Sequence, residues 1–401
     1  MPFVARVDVG PLAAYADGFR NELLGLGYTP GTVVRKLWEA GRLGDWMAVR
    51  GLEAGGLTAG LVGEFVAARG HAGDRPIGLG ALRALLRYLR DLGVVPGEAA
   101  GATPVDQLVG RYRGWLVGER GLAARTVRRY EWTARRFLRS RVWTGHDGCG
   151  VEGLSGADVT AFLLGECSRV SVGSAKGRVA ELRSLLRFPF VQGVTETALA
   201  VSVPPVAGWR DTALPPPRLA PGQVTALLAG CDRSSAVGRR DFAVLTVLAR
   251  LGLRAAEVSG LALEDLDWRA GELVVRGKAR RHDRLPLPAD VGDALAVHLG
   301  DPRPQTSCRA VFLTRNAPPR PLAPQTVSKL VVEASRRAGV VPPVAAHRLR
   351  HTLACELLAS GAALSEISQV LRHRDLATTA VYAKVDHGVL RTLALGWPVA
   401  P

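Results

Sequence analysis

No run of about 18 apolar residues occurs in the 401-residue chain, so nothing in it reads as a membrane-spanning helix. The nearest candidate, "DFAVLTVLARLGL", is interrupted by Arg250. No basic amphipathic segment carries the bulky aromatic anchors that would hold it on a lipid surface. The first ten residues, "MPFVARVDVG", lack the apolar core of a signal peptide. Cysteine is sparse: Cys149, Cys167, Cys231, Cys308 and Cys355 are scattered, odd in number and never paired as C-x-x-C. That pattern argues against a disulfide frame or a thiolate zinc site and predicts reduced thiols. The expectation is a soluble cytoplasmic protein without a membrane partner.

Acidic residues are in deficit, with 36 Asp and Glu against 52 Lys and Arg and a net charge of +16. A field of that sign attracts polyanions, and nucleic acid is the commonest one inside cells. Apolar residues at 47% and charged residues at 22% are ordinary for a globular protein and argue against wholesale disorder. The length allows two or three domains, each with its own core.

The front half resembles itself. "GYTPGTVVRKLWEAGRL" (27–43) aligns with "GLAARTVRRYEWTARRF" (121–137), "GGLTAGLVGEFV" (55–66) with "EGLSGADVTAFL" (152–163), and "ALRALLRYLRDLGVV" (81–95) with "ELRSLLRFPFVQGVT" (181–195). The order is kept while the offset drifts from 94 to 100 residues, as loops of unequal length would cause. Each copy has helical periodicity; in the second, Val127, Tyr130, Ala134 and Phe137 mark one apolar face. Arg125, Arg128, Arg129, Arg135, Arg136 and Arg139 fall on the rest of that helix, a stripe that suits phosphate contacts better than a merely solvated face. The matching helix of the first copy carries only Arg35, Lys36 and Arg42. The expected division is a helical domain at 1–98, a helical DNA-binding domain at 104–201, the proline-rich linker "SVPPVAGWRDTALPPPR" at 202–218, and a last domain at 219–401.

In the last domain, "APGQVTALLAGC" and "RRDFAVLTVLARLGL" predict helices, and "GELVVRG" and "DRLPLP" predict two strands joined by "KARRH". Four places hold polar residues that packing would not select. Arg254 follows a glycine at a helix end in "LGLRAAEVSGL". Lys278 sits at the hairpin tip beside Arg280 and Arg281. His347, Arg348, Arg350 and His351 crowd the start of "AAHRLRHTLACELL". His373 precedes Tyr382 by nine residues in "LRHRDLATTAVYAKVD". Taken singly each has a plain explanation: a helix C-cap for Arg254, a solvated turn for Lys278, core filling for Tyr382. His347 and His351 have the spacing of a zinc helix, but Arg348 and Arg350 lie among them and oppose a dication, so no metal site is expected.

Together these groups can transfer a phosphoryl group without a metal. Two arginines can clamp the non-bridging oxygens of a phosphodiester. A lysine can protonate a leaving oxygen, and a histidine can accept the proton of an attacking tyrosine. The counter-charge of the cluster would then be the substrate's own.

In order and spacing the chain resembles the tyrosine recombinase (phage integrase) family over roughly residues 219 to 390. The matching positions are Arg254 in the G-L-R-x-x-E turn, Lys278 on a hairpin 24 residues later, His347 with Arg350 as H-x-x-R, His373, and Tyr382. The family's usual L-G-H is Leu371-Arg372-His373 here, and Arg372 is expected to face DNA or solvent. Glu257, in the family's acidic position, is expected to support Arg254.

The resemblance implies a mainly α fold with a small β-hairpin or sheet in the catalytic domain, arranged as a multi-domain C-shaped clamp on double-stranded DNA. It implies Tyr382 as nucleophile, forming a 3′-phosphotyrosyl bond without cofactor, His347 as base, Lys278 as acid, and Arg254, Arg350 and His373 as phosphate holders. Partners would be an inverted-repeat core site, a dimer on each site, a homotetramer at the Holliday junction, and possible partner recombinases. Such a protein would be nucleoid-associated. The tail "AKVDHGVLRTLALGWPVAP" could pack within the subunit or in a neighbour. The first helical copy could bind flanking DNA, extend the clamp or serve assembly, its weak basic face favouring the last two. Competing functions are a type IB topoisomerase and a non-catalytic accessory DNA-binding protein.

Overall fold

The computed structural model describes residues 10–70, 79–95, 103–142, 153–206, 218–277, 282–303, 306–373 and 378–379. Lys278, Arg280, Arg281 and Tyr382, the tail beyond Tyr382 and residues 207–217 of the linker lie outside the described residues. Contacts divide the chain into two units, one of residues 1–95 with 213–401 and one of residues 96–212.

The first unit opens with α1 (Ala16–Gly25), α2 (Pro30–Val49), α3 (Ala59–Gly70) and α4 (Leu79–Asp91), around a core that includes Phe19, Leu23, Leu43, Met47, Phe65 and Leu89. The second unit repeats the order with α5 (Pro104–Gly118), α6 (Ala124–Val142), α7 (Gly156–Cys167) and α8 (Val172–Val191), around Val109, Tyr112, Leu116, Phe137 and Leu182. Helix starts carry local signals. Pro30 and Pro104 open α2 and α5, where a missing N–H is harmless. Thr58 Oγ1 accepts from the Leu61 N–H (3.2 Å) ahead of α3, as Ser155 Oγ does from Asp158 (3.3 Å) ahead of α7.

The aligned blocks carry core onto core. Val33, Ala40 and Leu43 correspond to Val127, Ala134 and Phe137; Val62 to Val159; and Leu82, Leu85 and Leu86 to Leu182, Leu185 and Leu186, all buried. Helix exits match as well: Gly93 (φ 72°) follows α4 as Gly193 (φ 68°) follows α8, the left-handed stop that glycine makes easily.

The remainder of the first unit has a separate core, built on α9 (Gln223–Ala229), α10 (Ala236–Leu251) and α11 (Ala255–Ser259), then α12 (Ala289–Leu299), α13 (Pro324–Arg337) and the start of α14 (Ala346–Ala359), while the rest of α14 and α15 (Leu364–Leu371) share a small cluster of Ala354, Cys355, Ile367 and Leu371. The membrane-like stretch of the sequence is α10. Ala243, Val244, Leu245, Val247 and Leu248 are fully buried because α12, α13 and α14 surround it, the proper setting for a helix apolar on nearly every side. Arg250 sits at its exposed end and donates to Asp290 Oδ2 at 2.6 Å. No helix among the described residues is long and apolar enough to cross a membrane.

Between α11 and α12 lies a three-stranded antiparallel sheet in the order β1 (Leu266–Asp267), β2 (Glu272–Arg276), β3 (His282–Pro286). Leu273 pairs with Leu285 on one side and Leu266 on the other. The hairpin was legible in the sequence. β1 was not, since two residues are too few for a period-two signal.

Candidate active site

Arg254 is placed by the end of α10. Gly252 stops that helix at φ 57°, and a side chain there would press on Leu353 Cδ2 and Leu371 Cδ2, both 3.0 Å from an added Cβ. Leu253 is buried, and Arg254 follows in extended conformation as the residue before α11. It therefore opens a helix and does not cap the C-terminus of α10. Its backbone N–H donates to Glu257 Oε2 (2.8 Å) and its Nη1 to Glu257 Oε1 (2.7 Å), while 45% of the side chain stays exposed.

The basic start of α14 separates into different environments. Arg350 is 1% exposed; its Nη1 donates to the Gly252 carbonyl (2.5 Å) and its Nη2 to the Leu371 carbonyl. A buried guanidinium is tolerable because charge-assisted bonds replace its water. Three residues earlier, His347 is exposed. His351 points inward, 4% exposed, with Cys355 Sγ 3.8 Å from Nε2. Among the described residues no group of three or more His, Cys, Asp or Glu could hold a metal ion.

The turn after α15 ties these pieces together. Leu371 supplies the carbonyl held by Arg350, and His373 Nδ1 lies 2.7 Å from Oγ1 of the fully buried Thr379. Arg372 corrects the sequence expectation. It faces neither DNA nor solvent: its side chain is 5% exposed, and Nη2 donates to Glu257 Oε2 at 3.0 Å. It is also the one non-glycine residue at positive φ (55°) among the described residues, so an arginine occupies a conformation that suits glycine. Glu257 therefore receives Arg254 on one side and Arg372 on the other. An open groove of about 390 Å³ is lined by His282 and Arg284 of β3 and by Arg372 and His373.

The electrostatics follow from this crowding. Burial alone would raise the Glu257 carboxyl, but the Arg254 N–H and the Arg372 and Arg254 guanidiniums outweigh it and hold it below the usual carboxylate range. At His347, desolvation by the packed neighbours on one side of this otherwise exposed residue, and the charges of Arg350, Arg254 and Arg348, hold the imidazole below its ordinary value. His373 is pushed down to about 4 by burial first, then by Arg350, Arg254, His347 and Arg372. Both rings are thus neutral at pH 7. The same four groups, Arg254, His347, Arg350 and His373, feel one another although they come from three separate segments.

The α6 arginines divide as well. Arg129 pairs with Glu181, Arg135 with Asp106 and Arg136 with Glu166 at 2.5 Å, all within the second unit. Arg125, Arg128 and Arg139 are exposed. Two partnerships escaped the sequence reading. Thr379 sits in an unremarkable "ATTAVY", and Arg372 was marked only by the missing glycine.

A model of the phage integrase family matches residues 217–388. A putative integrase/recombinase of Sinorhizobium fredii is 37% identical over 403 residues, covering 98% of this chain and 97% of that protein. This chain belongs to the phage integrase family, the tyrosine recombinases. It is an enzyme of the class that cleaves and rejoins DNA strands in site-specific recombination. A tyrosine recombinase XerD of Mycobacterium tuberculosis is 32% identical over 303 residues, 71% of this chain and 95% of that one. Among solved structures, a lambda integrase dimer bound to a COC′ core site covers 76% of this chain and 86% of its own, at TM-score 0.52 and 16% identity. XerH bound to palindromic difH in a post-cleavage complex covers 73% and 85%, at TM-score 0.51 and 17% identity. These two likenesses show that the recombinase has their fold.

Proposed function

We propose that Arg254, Arg350 and His373 bind one scissile phosphate of a duplex, with Tyr382 as the nucleophile and His347 as its base. The Tyr382 Oη forms a bond to phosphorus, the bond from phosphorus to the 5′-oxygen breaks, and the phenolic proton passes to His347. Lys278 donates a proton to the departing 5′-oxygen. A 5′-hydroxyl from a partner duplex then reverses these steps, exchanging strands through a Holliday junction in a tetramer with a dimer on each inverted-repeat site. The observation that carries the reading is the convergence of Arg254, His347, Arg350 and His373, from three chain segments, with both imidazoles neutral. A neutral His347 can accept a proton where an imidazolium cannot. Arg372 takes no part in chemistry in this scheme. It shares Glu257 with Arg254 and so holds the turn carrying His373 against the segment carrying Arg254.

In this reading the segment 104–201 is a helical DNA-binding domain that contacts the duplex through Arg125, Arg128 and Arg139. Mobile-element integration and excision is the setting that the long helical front fits best. Covalent capture tests the scheme. The protein and Tyr382→Phe are mixed with nicked host DNA, non-covalent complexes are stripped with detergent, and the retained DNA is sequenced. Tyr382-dependent adducts concentrated at one inverted repeat are expected. Adducts spread evenly would replace the scheme with a type IB topoisomerase, and binding without adducts would replace it with an accessory DNA-binding protein.

A further inference from the structure

The scheme above gives His373 a phosphate to hold, and a neutral imidazole can do so in only one of its two forms. Such a ring carries one N–H and one lone pair, whereas phosphate oxygens only accept. The nitrogen turned to the phosphate must therefore carry the hydrogen. Which nitrogen carries it is set by what the other one meets. At Nδ1 of His373 that partner is the Thr379 hydroxyl, with Oγ1 2.7 Å away. The ring is anchored on its backbone side as well, since the His373 N–H donates to the Ser368 carbonyl (3.0 Å) where α15 ends.

Thr379 is fully buried, and at such a position packing alone would prefer valine, which has the same shape and no hydroxyl to desolvate. The hydroxyl has a use that valine cannot supply. A carbonyl or carboxylate beside Nδ1 would require the hydrogen there and leave Nε2 with a lone pair, which repels a phosphate oxygen. A hydroxyl can donate. When it donates to Nδ1, the hydrogen sits on Nε2, and Nε2 becomes the donor. Protonating both nitrogens would remove the choice, but Arg350, Arg254 and Arg372 oppose a third cation among them and hold the ring neutral. Thr379 also stands three residues before Tyr382, so the bond ties the turn of His373 to the segment that leads into the nucleophile.

We infer that Thr379 is a positioning residue of the reaction: its hydroxyl donates to Nδ1 of His373 and so fixes the tautomer in which Nε2–H is offered to the scissile phosphate. The inference rests on the reading that His373 binds that phosphate, and the test separates the two.

The full chain, Thr379→Val, Thr379→Ser and His373→Ala are prepared with isotope-labelled histidine ring nitrogens, and the His373 signals are recognised by their loss in His373→Ala. At neutral pH the wild type is expected to show hydrogen on Nε2 and a bare, hydrogen-bonded Nδ1. Hydrogen on Nδ1 instead overturns the inference. In covalent capture on nicked host DNA, Thr379→Val is expected to lose about 10-fold, the size of one lost hydrogen bond, and to show a mixture of tautomers, while Thr379→Ser recovers most of both. Equal losses in Thr379→Val and Thr379→Ser, with the tautomer unchanged, would make Thr379 a packing residue and overturn the inference. His373→Ala is expected to lose about 10²-fold. A loss there with full capture in Thr379→Val overturns the inference alone and leaves His373 on the phosphate, whereas full capture in His373→Ala overturns both.

Discussion

Arginine does opposite work in two regions of this recombinase. Around the α10–α11 junction, Arg350 and Arg372 are almost wholly buried, each held by carbonyls or by Glu257 in one geometry. Along α6, Arg125, Arg128 and Arg139 stand exposed at the surface. A buried guanidinium loses its water and its freedom during folding and is held in a preorganised geometry. An exposed one keeps its water, contributes little singly, and acts through counterion release over many phosphates. Position in the fold, not residue type, decides which guanidiniums are fixed in one geometry and which stay hydrated at the surface.

The sharpest way to break that contrast is Arg350→Ala. Leaving the Gly252 and Leu371 carbonyls unpaired is expected to cost about 1–3 kcal/mol each in denaturant unfolding. Covalent DNA capture should fall by about 10²–10³, the usual effect of removing one preorganised charge-stabilising group. Glu257→Gln comes next. It removes the counter-charge between Arg254 and Arg372, and capture is expected to fall ~10–100-fold, about 1.4–2.7 kcal/mol of barrier, with duplex affinity nearly unchanged.

Arg372→Gly sharpens the comparison further. Glycine relieves the left-handed backbone at φ 55°, worth about 1–2 kcal/mol, while the ion pair to Glu257 disappears, so stability should barely move. Capture should nevertheless drop ~10-fold (about 1.4 kcal/mol) while DNA affinity holds, and Arg372→Lys should restore part of it. A parallel fall in stability and capture would reduce Arg372 to a structural residue. On α6, Arg128→Gln should leave capture at saturating protein untouched and lower the salt slope by about 0.9.

Acid separates the regions as well. His373 holds a value of about 4 in the folded chain, against about 6.5 when unfolded. Its contribution to stability is therefore present above about pH 6.5 and lost as pH falls toward 4, because the unfolded chain takes up the proton first. Wild-type stability should fall more steeply from pH 7 to 5 than that of His373→Asn, read by urea midpoints. Equal slopes would mean that the folded imidazole is not depressed.

The helices and the hairpin were legible in the sequence because each rests on local signals: period-3.6 apolar faces, proline and serine or threonine at helix starts, glycine at helix ends. The candidate site was legible as residues in order, since Arg254, His347, Arg350 and His373 stand at recognisable spacings. Their environments were not. Glu257 and Arg372 are 115 positions apart, and no local pattern reveals that they pair. The carboxylates that engage half of the α6 stripe come from α5, α7 and α8, invisible to a count of charges along one helix. By itself the sequence determined which residues form helices and which chemistry the chain carries, because periodicity and side-chain type are local properties. Only the tertiary structure decided which cations are buried in a rigid cluster and which remain at the surface, because burial and pairing depend on segments that meet after folding.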